Sequence, residues 1–114
     1  MHSVFHVDIR SEGRAAIIAV SGELDLASSP SLEAELERAS GTDSALLVLD
    51  LRRLEFMDST GLSVIVKAHQ RLADEGRGLY LVRGSQQVQR LLDLTGVAEQ
   101  IQLADTPEEI LNGA

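Results

Sequence analysis

Phe56-Met57-Asp58-Ser59-Thr60-Gly61-Leu62 sets a carboxylate, two hydroxyls and a glycine side by side. The apolar run Ala45-Leu46-Leu47-Val48-Leu49 precedes it, separated by Asp50-Leu51-Arg52-Arg53-Leu54-Glu55, and Val64, Ile65, Val66 and Leu72 follow at helical spacing. The pattern predicts a buried strand, a short loop and a helix that opens at Ser59. Such residues at such a junction can cap the helix, supply a nucleophile, or present a hydroxyl to another protein in the positive field of a helix start. Capping alone accounts for Asp58, Ser59 and Thr60, whose oxygens accept orphan amides. It does not account for Gly61, which costs about 1 kcal/mol against alanine inside a first turn.

A nucleophilic serine finds no support along the chain. The Gly-x-Ser-x-Gly elbow is absent, because Met57 and Asp58 precede Ser59 and Thr60 and Gly61 follow it. The histidines are His2, His6 and His69. His2 and His6 belong to the first strand or its frayed start, as solvated residues. His69 falls on the apolar side of the helix, at the edge of the core. None has metal-ligand spacing or an acidic group to orient it. Asp25 and Asp50 both close apolar strands, at the sheet edge where α/β proteins hold ligands, and with Asp58 they would gather near Ser59. Solvated strand ends are the plain alternative for each. Gly76-Arg77-Gly78 lacks the lysine and hydroxyl of a phosphate-binding loop, and Glu33, Glu35 and Glu37 read as a solvated helix face.

Composition narrows the function classes further. At 114 residues and 44% hydrophobic, the chain reads as one globular domain. Aromatics are 3% (Phe5, Phe56, Tyr80), so the core must be aliphatic and no platform exists for stacking bases. A net charge of −8 argues against direct nucleic-acid binding and against an anionic membrane surface, and favours a basic protein partner. There is no cysteine, hence no disulfide or thiolate site. The start, Met1-His2-Ser3-Val4-Phe5-His6, does not read as a signal peptide, and no apolar stretch reaches membrane-spanning length. A soluble cytoplasmic protein without a cofactor, monomeric or weakly dimeric, is expected.

The elements that must hold Ser59 follow from periodicity. A hairpin is predicted from Val4, Val7 and Ile9, a turn at Ser11-Glu12-Gly13, and the apolar strand 15–20, which Gly22-Glu23-Leu24-Asp25 ends. Ser29 is expected to cap a helix with Pro30 at its first position and the stripe Leu32, Leu36 and Ala39 inside. Residues 45–51 form the central strand. The next helix buries Leu62, Ile65, Val66, His69, Leu72 and Ala73 and stops at Gly76 and Gly78. Strand 79–82 follows, then a helix over 85–95 burying Val88, Leu91 and Leu92, with Gly96 as its C-terminal cap. A last strand at 101–103 and a capping box at Thr106-Pro107-Glu108-Glu109, opening a terminal helix through Ile110 and Leu111, complete the order. The fold class is α/β: a mixed, mostly parallel central sheet of about five strands with four helices, antiparallel at one edge.

With these segments in order, the chain resembles the STAS domain of anti-sigma factor antagonists. The likeness is carried by Gly22-Glu23-Leu24-Asp25, Leu47-Val48-Leu49-Asp50-Leu51, Phe56-Met57-Asp58-Ser59-Thr60-Gly61-Leu62 and Val88-x-Arg90-Leu91-Leu92-Asp93-x-x-Gly96. The chain departs from the family pattern at Ser63, where members carry glycine. The resemblance implies a regulatory binding protein, not an enzyme. It implies that Ser59 is phosphorylated by a partner that is both anti-sigma factor and serine kinase of the GHKL type. The unmodified protein would bind that partner and release a sigma factor, and a metal-dependent serine phosphatase would restore it. Partner contacts would fall on Asp25, Asp58, Ser59, Thr60, Gly61 and Leu62, with Thr60 and Gly61 giving close approach and Asp25 orienting the serine region. A STAS interaction or scaffold protein of another circuit, such as transporter regulation, without phosphorylation, is the alternative implication. A phosphoserine adds about −1.5 to −2 charges, which the helix start tolerates but Asp58 and an acidic or apolar partner surface oppose, so a switch there acts on an interface and not on folding.

Overall fold

The computed structural model describes residues 4–113, so His2 lies outside the described residues. Strand β1 (His6–Glu12) turns back antiparallel onto β2 (Ala15–Leu24). Helix α1 (Ser29–Ser40) then crosses to β3 (Leu46–Met57), and α2 (Ser59–Asp74) crosses to β4 (Gly78–Val82). Helix α3 (Gln86–Leu94) and a short α4 (Val97–Gln100) lead to β5 (Gln102–Ala104), and α5 (Pro107–Gly113) closes the chain. The sheet order is β1-β2-β3-β4-β5, with β2 to β5 parallel. Each crossover steps one strand in the same direction, and right-handed crossovers that never reverse put their helices on one face.

The packing follows from that rule. Leu24, Leu49, Leu54 and Leu81 of the sheet meet Leu32 and Leu36 of α1, Leu62, Ile65 and Leu72 of α2, Val88 and Leu92 of α3, and Val97 of α4 in one large core. Among the described residues the opposite face carries only α5, whose Ile110 joins Ile17, Val48, Val82 and Ala104 in a smaller cluster. Each such aliphatic side chain taken from water contributes roughly 1.5–3 kcal/mol before conformational entropy is charged. Arg77, just past α2, ties the layers together: its guanidinium donates to the Ser44 carbonyl at 2.6 Å and to the Ser40 carbonyl at 2.5 Å, holding the end of α1.

The structure departs from the periodicity in four places, each with a local cause. The second and third strands run on to Leu24 and Met57, because two register shifts let residues 50–57 of β3 keep pairing with 19–24 of β2. The strand predicted over 45–51 therefore continues through residues 52–57, and the predicted loop before Asp58 vanishes. A fifth helix, α4, appears after Gly96, whose φ of 81° reverses the chain beyond α3. The cap of α1 is Ser28, not Ser29, which is buried and donates its hydroxyl to the Asp25 carbonyl at 2.7 Å. Ala73 is exposed, since the buried stripe of α2 continues through Ala68 and Leu72 and Ala73 lies about 100° further round.

Candidate functional site

Helix α2 begins with no loop between it and β3, so its first turn sits directly on the end of the sheet. The Asp58 amide donates to the Leu24 carbonyl at 3.1 Å, which joins the ends of β2 and β3. Asp58 has extended backbone, and its Oδ1 accepts from the amides of Thr60 at 2.9 Å and Gly61 at 3.0 Å. The Leu62 amide donates to the Asp58 carbonyl at 3.1 Å and starts the helical ladder. This is a complete side-chain cap, of the kind that stabilises a helix by about 1 kcal/mol. It leaves Ser59, the first residue of the helix, exposed, with its hydroxyl engaged by no other described residue.

Gly61 and Leu62 point the other way. Gly61 is buried, and a Cβ there would stand 2.5 Å from Leu24 Cγ and 2.7 Å from its Cδ2. The glycine thus lets the first turn of α2 lie against the end of β2, at the conformational cost noted for a glycine in a helix. Leu62 is also buried and belongs to the large core. The expectation that Gly61 gives a partner close approach is corrected: its missing side chain makes room for Leu24. Thr60 and Asp58 are half-buried, while Ser63, one turn beyond Ser59 on the same face, is exposed.

Asp25 stands next to this turn, directly after the Leu24 whose carbonyl receives the Asp58 amide. Its carboxylate works within its own loop: Oδ1 accepts from the amides of Ala27 at 3.0 Å and Ser28 at 3.1 Å. The Ser28 hydroxyl in turn accepts from the Asp25 amide at 2.9 Å and donates to the Glu23 carbonyl at 2.8 Å. Asp25 therefore shapes the β2–α1 turn, an Asx-type arrangement, and reaches the serine region through Leu24. That turn holds up Leu26, 74% exposed, and Val4, 86% exposed, lies along the shallow depression lined by Glu23, Asp25, Ala27 and Ser28. Sequence reasoning missed Leu26. Its signal was a leucine inside a turn of polar and small residues, where nothing in the helical or strand period calls for one.

Asp50 does not join Ser59. It lies mid-strand, buried, on the face of Ile17 and Val48, roughly 25 Å along β3 from the helix start. Arg52 grips it bidentately, with Nη2 to Oδ2 at 2.8 Å and Nε to Oδ1 at 3.0 Å, and the Arg52 amide adds a third bond at 3.1 Å. The hydrogen bond to Asp50 raises the Arg52 pKa above its ordinary value, burial opposes this, and the charges of Asp50 and Glu108 add to it. The expected grouping of three carboxylates is thus corrected to two, Asp25 and Asp58, both occupied by backbone amides. His6 is exposed beside Asp8, and His69 is half-buried with an unpartnered Nδ1, about 15 Å along α2 from Ser59. Among the described residues no cluster of His, Cys, Asp and Glu could hold a metal ion, and no helix is long and apolar enough to cross a membrane.

A sheet whose crossovers never change direction has no switch point, and so lacks the crevice that a switch point opens. What that edge offers instead is a surface: a capped turn with one free serine beside a rigid loop. The family model of the STAS domain matches residues 6–110, which include the Asp25 turn and the Asp58–Leu62 turn. The chain belongs to the STAS domain family. It is 33% identical over 96 residues to an anti-sigma-B factor antagonist of Listeria monocytogenes, covering 84% of this chain and 83% of the relative. The crystal structure of an anti-sigma factor antagonist from Mycobacterium paratuberculosis superposes with a TM-score of 0.89 at 25% identity, over 96% of this chain and 93% of that one. The Bacillus cell fate determinant SpoIIAA in its phosphorylated form shares the fold, with a TM-score of 0.73 at 21% identity over 94% and 97% of the two chains. The five-stranded, mostly parallel layer architecture of this STAS domain is therefore the family's own.

Proposed function

We propose that this STAS domain is an anti-sigma factor antagonist switched by phosphorylation of Ser59. In the unmodified state it binds an anti-sigma factor that is also a serine kinase of the GHKL type, and a sigma factor is released. Transfer of a phosphoryl group to the Ser59 hydroxyl ends that binding, and a serine phosphatase restores it. The protein acts in the cytoplasm as a binding partner without catalysis, cofactor, nucleic acid or membrane. The observation that carries this reading is the exposed Ser59 on a turn whose cap is already complete. Asp58 holds the backbone, so the hydroxyl is free for modification and the helix does not depend on it.

The charge argument is local. A phosphate on Ser59 meets the positive end of α2 but stands next to the Asp58 carboxylate, and it adds to a net charge of −8. Folding tolerates this at the surface; a partner pressed against the turn does not. Contacts are assigned to Ser59, Thr60 and Asp58 directly, to Leu26 as the apolar anchor beside them, and to Asp25 as the residue that shapes the Leu26 turn. Gly61 and Leu62 contribute from beneath, by seating the turn.

Incubation with the cognate kinase and ATP is expected to add one phosphate, read by intact mass. Ser59→Ala is expected to abolish it and Ser63→Ala to leave it unchanged. Equal phosphorylation of Ser59→Ala and wild type would overturn the assignment. Ser59→Glu is expected to weaken kinase binding at least about tenfold while the melting temperature moves by less than about 2 °C.

A further inference from the structure

The β1 edge of the sheet carries information that the Ser59 surface does not use. We propose that two copies of this chain pair through β1, antiparallel about a two-fold axis at Ile9, into one continuous sheet. Edge strands are normally protected from such pairing by shortness, proline, bulges or charged side chains, and charges block pairing only where the facing strand does not complement them. The far edge, β5, is only three residues long. Strand β1 is seven residues long, pairs with β2 in unbroken register from His6 to Glu12, and contains no proline.

Its charges alternate in sign. His6, Asp8, Arg10 and Glu12 share the face of Ser21, Ala19, Ile17 and Ala15, while Ile9, 41% exposed, shares the other face with Val7 and Ser11. A two-fold axis through Ile9 sets Ile9 against its own copy, Asp8 against Arg10, His6 against Glu12, and Val7 against Ser11. The Asp8–Arg10 charge pair occurs twice by symmetry. Directly opposed residues in an antiparallel pair lie close enough for such charges to attract or repel. Moving the axis to Asp8 sets Asp8 on Asp8, and moving it to Arg10 sets Arg10 on Arg10 and Asp8 on Glu12. An axis at Val7 or Ser11 opposes only a short stretch of β1. The Ile9 register alone uses the whole strand without a like-charge contact.

The charges are available for this. Among the described residues of one chain they meet only along the strand, His6 with Asp8 at 3.2 Å and Arg10 with Glu12 at 3.5 Å, in exposed pairs that stabilise little. A second copy would extend them into a ladder of alternating sign. The axis stands perpendicular to the sheet, so both sets of crossover helices stay on one face. The strands of the two copies run in opposite directions, so their Ser59 turns point to opposite ends and neither is covered. An interface of one strand edge is small, which puts the affinity in the micromolar range or weaker.

Sedimentation of the full chain from micromolar to millimolar concentration, at low salt, tests this. Wild type is expected to show a concentration-dependent dimer. Asp8→Arg and Arg10→Asp are each expected to weaken it about tenfold or more, because each sets like charges opposite one another twice. An equimolar mixture of the two variants, and the double variant Asp8→Arg/Arg10→Asp, are expected to regain it, since both restore opposite charges in the Ile9 register. Circular dichroism of each variant checks that it folds. A wild type monomeric at every concentration, single variants that dimerise as tightly as wild type, or a mixture that fails to recover would each overturn the proposal. Ser59→Ala is expected to dimerise like wild type, which keeps this test separate from that of the switch.

Discussion

Asp58 ends β3 at the start of α2, and Asp50 lies in the middle of the same strand; each carboxylate is held by donors close to it in sequence. The donors differ in kind. Asp58 binds the backbone amides of the turn it caps, so it sets a surface and leaves the neighbouring hydroxyl free. Asp50 binds the guanidinium of Arg52, two residues along and hence on the same side of the pleat, and so forms an ion pair on the face without crossover helices. One carboxylate organises a site. The other is a buried charge that Arg52 neutralises. Nothing in the residue type distinguishes them, and the register of β3 decides.

Removing Arg52 should break this contrast most severely. Arg52→Ala strips a buried carboxylate of its guanidinium partner and is expected to cost about 2–3 kcal/mol, a fall of roughly 8–12 °C in melting temperature. Replacing the pair together, Asp50→Ala with Arg52→Ala, is expected to recover much of that loss; additive losses in a thermal double-mutant cycle would show that the two groups are not coupled. On the other side, Gly61→Ala drives a methyl into Leu24 Cγ and is expected to cost about 1–3 kcal/mol. It should also displace the turn and weaken kinase binding, although the added group is internal. Smallest is Asp58→Ala, at about 1 kcal/mol for the lost cap, whereas Asp58→Asn keeps an acceptor for the Thr60 and Gly61 amides and should stay within about 0.5 kcal/mol of wild type. Equal melting temperatures for Asp58→Ala and Asp58→Asn would mean that the cap contributes nothing.

Much of the architecture was legible along the chain. The apolar run at 45–49, the helical stripe of Leu62, Ile65 and Leu72, and the Pro and Gly signals gave the order of elements, because burial and backbone preference are local properties. Where β2 and β3 stop was not legible. The residues just beyond the apolar run, from Arg52 on, look like a loop, and only pairing with β2, through two register shifts, keeps them in the sheet. Helix α4 escaped because one turn of helix has too few residues to show a period. The cap at Asp58 was legible, but the reason for Gly61 was not, since Leu24 is far from it in sequence and touches it only in the fold.

By itself the sequence determined that the chain has an α/β fold and that a carboxylate caps the helix beginning at Ser59. These depend on residue type and short-range spacing, which the chain carries explicitly. The tertiary structure decided that Ser59 faces out while Gly61 and Leu62 face in, that Asp50 lies on the wrong face to assist, and that β1 offers an alternating row of charges at a free edge. These depend on strand register and on the direction of each crossover, which arise only when segments distant in sequence pack together.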